Sequence, residues 1–189
     1  MMGLAALAAP VWAASLYTEP FPTAPSKKGI QIQMVDDALA LGIKHATFNV
    51  NLTALADPRG DTNNPSCQFE GRTFRFNRAG LEHLDRDIKA VSDRGVIVYL
   101  ILLTYTSGDA ELNRLMLHPC YDASAPNHLG AFNTVTGDGR RWFTAMLEFL
   151  AGRWSRPDMA YGRVAGYILG NYAERADVVE ISSRRPQVA

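Results

Sequence analysis

A charge excess of either sign is missing from this sequence. Lys plus Arg and Asp plus Glu each number 19 among 189 residues, and the basic side chains form no stripe. No field draws such a chain to nucleic acid or to an anionic membrane, and neither is expected as a partner. Cysteine is scarce too. Cys67 and Cys120 stand far apart, outside any CxxC pair and away from any histidine pair, so no metal site is expected. They either pair after export or stay free in loops, and spacing leaves both options open. The apolar start MMGLAALAAPVWAASL is shorter than the roughly 20 residues a membrane-spanning helix needs, so no stable span is expected. A glycine-rich phosphate loop is also lacking, because GIQIQMVDD contains neither GxGxxG nor a P-loop. No cofactor is expected.

Core-forming material is plentiful. Apolar residues make up 47% and aromatics 10% of the chain, enough for one sizeable domain. Residues 1–16 are read as a candidate signal peptide: VWA before Ala14 has signal-peptidase spacing, although no Lys or Arg precedes the apolar run. Export to the periplasm or the exterior is the corresponding expectation. Residues 17–28, rich in proline and small polar residues, read as a linker.

From residue 29 the hydrophobic period alternates between strand and helix. GIQIQ starts a strand, and MVDDALALG is a compact helix with Val35, Leu39 and Ile43 four apart. HATFNVNL alternates as a strand does. SCQFEGRTFRFN reads as a hairpin turning at Glu70-Gly71. Leu81, Leu84, Ile88 and Val91 mark a helix that ends at Gly95. VIVYLILLTY is a continuous apolar run, the signature of a strand covered on both faces. Residues 106–138 read as a long loop holding a short helix at AELNRLML. A helix through Trp142, Met146, Phe149 and Leu150 follows, and VAGYILGN is the next strand. This is βαβ repetition with right-handed crossovers. A doubly wound sheet and a (β/α)8 barrel compete. The missing phosphate turn and the long insertions at strand ends favour the barrel. The expected fold is therefore α/β, the N-terminal half of a (β/α)8 TIM barrel, with four parallel strands and intervening helices over residues 29–171.

Parallel α/β folds place their sites at the carboxyl ends of the strands. The polar side chains collected there are Gln31 and Gln33, Asn49 and Asn51, Thr104 and Tyr105, and Asn171. Paired amide donors and acceptors suit sugar hydroxyls better than phosphate. Taken singly, each Asn is as well explained by helix capping or loop satisfaction. As a set they mark Gln33, Asn49, Asn51, Tyr105 and Asn171 as candidate substrate-binding residues, with carbohydrate as the partner. Asp36-Asp37 opens a helix, where acids favour the macrodipole. His45 precedes a strand, His83 falls on a helix surface, and His118 and His128 sit in the long loop.

QMVDDALALGIKHATFNVNL, FRFN, LILLTY, LGAFNTVT and FLAGRWSRPD followed by GRVAGYILGN carry a resemblance over about residues 26–171. They resemble a bacterial TIM-barrel family of uncharacterised function, related to glycoside hydrolases. The last part also resembles the large retaining glycoside hydrolase clan, in which an Arg-aromatic pair ends a helix and the next strand ends in Asn-Glu. Arg153-Trp154 and Gly170-Asn171 occupy those places. The resemblance implies that Asn171 bonds a sugar 2-hydroxyl and that an acid/base Glu follows it. Tyr172 stands there instead, and Glu174 lies two residues further on. No catalytic residue is therefore assigned. A retaining mechanism needs two carboxyl groups about 5 Å apart, and a tyrosine with a pKa near 10 is a poor proton donor at neutral pH. Residues 172–189 read as a divergent tail, with a frameshift as one origin and a natural half-barrel as the other. The expectation is thus a fragment of a glycoside-hydrolase-like protein that is inactive as written. One alternative is a non-catalytic carbohydrate binder using Phe76, Tyr105 and Trp142. The other is a structural fragment that self-associates through open barrel edges.

Overall fold

The structure, a computed structural model, describes residues 17–124 and 126–170. Its centre is a sheet in which β1 (Gly29–Gln31), β2 (His45–Asn51), β5 (Ile97–Tyr105) and β7 (Gly166–Leu169) run parallel. A fifth strand, β6 (Leu129–Gly130), pairs antiparallel with the end of β5. The pair β3 (Ser66–Phe69) and β4 (Arg72–Arg75) forms a separate antiparallel hairpin. The helices are α1 (Val35–Ala40), α2 (Leu52–Leu55), α3 (Arg78–Ser92), α4 (Ala110–Met116) and α5 (Gly137–Arg153).

This arrangement corrects the expected half-barrel of four parallel strands alternating with helices. The sheet has five strands, one of them antiparallel, and a hairpin and two extra short helices interrupt the alternation. The physical reason is length. Two residues in β6 and four in α2 carry no period, and tertiary pairing alone fixes them.

The long elements follow their local chemistry. Asn77 accepts from the Gly80 N–H at 3.0 Å and starts α3, and Gly95, at φ 72°, takes the left-handed turn after it. Thr136 accepts from the Gly139 N–H and starts α5. Glu70 and Gly71 both have positive φ, as a two-residue type I′ hairpin turn requires.

The buried apolar residues of all five helices fall into one cluster with Ala46, Phe48, Val50, Val98, Leu100 and Leu102. The helices therefore cover one face of the sheet. Aromatic rings fill the space between the hairpin and α5: Phe74 meets Trp142 edge-on at 4.9 Å, and Phe76 stacks on Phe149 at 4.2 Å.

One acid holds α3 against α5. Asp85 lies on the buried stripe of α3, four residues after Leu81 and three before Ile88. Its carboxylate accepts from Arg153 Nε at 2.8 Å, from Arg153 Nη2, and from Trp154 Nε1 at 3.0 Å. The Arg153 guanidinium also stacks over Tyr161 at 3.8 Å. From Trp154 the chain returns to the sheet: Val164 N–H donates to the Trp154 carbonyl and Ala165 N–H to that of Val98.

The segment read as a linker is anchored at its start. Tyr17 N–H donates to the Ser155 carbonyl, and the Arg163 guanidinium lies between the rings of Tyr17 and Phe21. Arg163 also donates to the carbonyls of Glu19 and Pro20.

Both cysteines are free. Cys67 is half-buried on the hairpin, with its Sγ 3.6 Å from the Ala145 carbonyl, and burial lifts its thiol pKa from 9.0 to about 11. A folded state that holds this proton more tightly is stabilised below pH 9, and the contribution is lost as pH rises through about 11. Chemical denaturation across alkaline pH is expected to show that loss, and Cys67→Ala to flatten it. Removing Asp85 leaves Arg153 without its partner in a nearly closed site. Asp85→Ala is expected to cost about 3–5 kcal/mol in a urea titration.

Candidate functional site

The sheet's second face has no helix on it among the described residues. Register decides which side chains it carries. Partners side by side in a parallel sheet point the same way, so Gln31, Thr47, Tyr99 and Gly166 form one row. Asn49, Ile101 and Ile168 form the next, followed by Asn51 and Leu103. Ile32 N–H bonds to the Thr47 carbonyl just beyond the end of β1, and Gln33 follows in the turn that leads to α1. Ile101 and Leu103 are buried, yet neither joins the main core cluster. Gln31, Gln33, Asn49, Tyr99 and Ile168 are exposed.

Four of the five residues proposed from sequence thus lie along this face or at its end. Asn49 is exposed in mid-strand on β2, Gln33 in the turn between β1 and α1, and half-buried Tyr105 closes β5. Tyr105 N–H donates to Thr53 Oγ1 at 3.3 Å, a bond that fixes the end of β5 against α2. The fourth residue is otherwise engaged. Asn51 caps α2, its Oδ1 accepting from the Ala54 N–H at 3.2 Å, which is the capping role that strand-end Asn residues share. Asn171 lies outside the described residues, as do Tyr172 and Glu174. The aromatics of the alternative binder fall differently. Phe76 is fully buried and Trp142 nearly so, both inside the core, so neither offers a ring to a ligand.

The structure adds Tyr99, whose ring lies against Gly166 and faces outward. A Cβ at position 166 would stand 3.3 Å from that ring. Tyr99 was hidden inside VIVYLILLTY, where a tyrosine in an apolar run reads as core. The signal was its parity: Tyr99 is two residues from Ile101 and one from Leu100, on the face opposite the helices.

Acidic groups in the loops after the strands are engaged. Asp109 caps α4 and pairs with Arg59, which also reaches Glu111 at 3.5 Å. Asp57 accepts from Asn64 Nδ2, and Asp61 and Asp122 accept from loop N–H groups. Bonds from Ser124 hold the Asp122 carboxyl below its usual pKa range. Asp36 and Asp37 are exposed in the first turn of α1. His118 Nδ1 accepts from the Cys120 N–H, and His83 pairs with Asp87 along α3. Among the described residues no group of three His, Cys, Asp or Glu side chains could hold a metal ion, and no helix is long and apolar enough to cross a membrane.

A cleft of about 250 Å³ lies between the hairpin and α5, lined by Phe69, Glu70, Gly137, Arg140, Arg141 and Thr144. It holds none of the amide side chains. It is also smaller than the roughly 300–1,000 Å³ usual for small-molecule sites. Arg141 there is committed to Glu70 and Asp138.

Fold and surface define a one-sided α/β protein: a mostly parallel sheet with helices on one face and amides and apolar residues on the other. The chain belongs to a family of unknown function, DUF5722, which matches residues 20–181. No curated protein and no solved structure matches it.

Asn51→Ala is expected to cost about 1 kcal/mol of stability through the lost cap. Circular dichroism melts of this variant beside Asn49→Ala check the assignment, because the exposed Asn49 has no such bond to lose.

Proposed function

We propose that this protein binds neutral carbohydrate at the Gln33 and Asn49 amides and does not itself cleave glycosidic bonds. The observation carrying this reading is that exposed, uncharged amides gather on the β1–β2 side of the sheet, Gln31 on β1, Gln33 in the turn after it and Asn49 on β2, with no carboxylate on that face among the described residues. Amides present fixed donor and acceptor pairs to vicinal hydroxyls, and Tyr99 and Tyr105 add rings on the same side. The glycoside-hydrolase-like wording of the chain supports the ligand class.

The same observation speaks against cleavage. Retaining hydrolysis uses two carboxyl groups about 5 Å apart across the bond that breaks. The loop acids are committed to caps, turns and arginines, and position 172 carries Tyr where the related clan has Glu. Self-association is the second reading, favoured by the edge of β7, which pairs only with β5 among the described residues and where Ile168 is 41% and Leu169 56% exposed.

A glycan array followed by titration calorimetry tests the proposal. Binding of neutral glycans is expected, with no turnover of aryl glycosides. Asn49→Ala and Gln33→Ala should each weaken binding about tenfold, the worth of one lost hydrogen bond. Turnover, or an array with no neutral glycan bound, overturns it.

A further inference from the structure

We propose that Thr47 is the floor of a subsite for one gluco-configured pyranose unit, with the Tyr99 ring as its platform and Gln31, Asn49 and His45 as its hydroxyl ligands. The subsite rests on the carbohydrate binding proposed above and gives it a sugar class and a place. Strand register supplies the frame. Gln31, Thr47 and Tyr99 are paired side by side on β1, β2 and β5 and point the same way. His45 and Asn49, two residues to either side of Thr47 on β2, share that face. Gln31, Asn49 and Tyr99 are exposed, the last at 36%, and His45 is half-buried. Thr47 is thus a short, half-buried side chain with a longer polar or aromatic one on each of four sides.

Spacing fits one sugar ring. Strands lie about 4.8 Å apart, so Gln31 and Tyr99 face each other across Thr47 over roughly 10 Å. Along β2, His45 and Asn49 each lie about 6.6 Å from it. Gly166 shapes the platform. Only Cδ1 and Cε1 of Tyr99 come within 4 Å of the place a Cβ at 166 would take, both at 3.3 Å. The ring therefore turns one edge toward β7 and the other toward Thr47. A ligand stacked on it sets its own rim over β2.

Chemistry selects the occupant. An aromatic ring takes an apolar face, whereas amides, a threonine hydroxyl and an imidazole take donors and acceptors arranged around a rim. The ligand must carry both in one small ring. A pyranose with equatorial hydroxyls does so, because its faces present only C–H bonds and its hydroxyls radiate near the ring plane. The gluco configuration is that arrangement. A flat aromatic ligand would cover Tyr99 and leave the amides unpaired, and an open polyol would pair the amides and leave the ring bare.

Saturation-transfer NMR with methyl β-glucopyranoside, irradiating the protein's aromatic protons, is the experiment. The wild-type chain should pass saturation to the sugar's ring C–H protons. Tyr99→Ala should abolish the transfer and Tyr99→Phe should keep it, since a ring without its hydroxyl still stacks. Thr47→Phe, which fills the floor, should abolish it too. Gln31→Ala should weaken binding about tenfold, the worth of one lost hydrogen bond. Thr144→Ala, in the cleft beside α5, should leave it intact. Circular dichroism checks that each variant folds. No transfer from the wild-type chain overturns the proposal, as does a folded Tyr99→Ala or Thr47→Phe that binds as the wild type does. A glycan array separates the two readings: neutral glycans bound alike by wild type and Tyr99→Ala sink this subsite alone, and no neutral glycan bound sinks both.

Discussion

Asp85 is an acid on the apolar stripe of a helix, and the route of the chain from α3 to the last strand depends on it. Its two oxygens take up Arg153 and Trp154 at the end of α5, so the two longest helices meet through ionic and indole hydrogen bonds inside the core. Breaking such a buried pair costs far more than an exposed one, because the remaining charge has no water to return to. Trp154 passes the restraint on through its carbonyl to Val164, one residue before Ala165 joins the sheet. Arg163, in the same stretch, holds the segment from Tyr17 to Phe21. The N-terminal strap, the end of α5 and the start of β7 are thus one connected restraint.

That restraint leaves the sheet one-sided. With α1, α3 and α5 on the same face, the opposite face keeps whatever its strands place there. The register of β1, β2, β5 and β7 sorts those side chains into an amide half and an apolar half. Both halves lack charge, which separates this surface from the arginine- and glutamate-lined cleft beside α5.

What sequence made legible was what repeats. The apolar spacing of α3 and α5, the unbroken run of β5 and the Glu70-Gly71 turn sit where the pattern put them, because period and turn chemistry act locally. The architecture was misjudged because α2 and β6 are too short to show a period and exist only through tertiary pairing. The site was partly legible for the same reason. A strand-end Asn looks alike whether it caps, as Asn51 does, or faces outward, as Asn49 does, and only the next residues' path separates them. Asp85 had a signal of its own, an acid placed between Leu81 and Ile88 on a buried stripe. Tyr99 had one in its parity.

The central claim is that Gln31, Asn49, Tyr99 and Ile168 stand exposed on a face of the sheet that carries no charged side chain among the described residues. Hydroxyl-radical footprinting of the dilute chain, read residue by residue by mass spectrometry, tests it most directly. The account predicts rapid oxidation at Tyr99 and Met34, with Phe76, Trp142 and Trp154 protected. Tyr99 protected in the dilute monomer as fully as Trp154 would contradict it, because the face would then be covered by the chain itself.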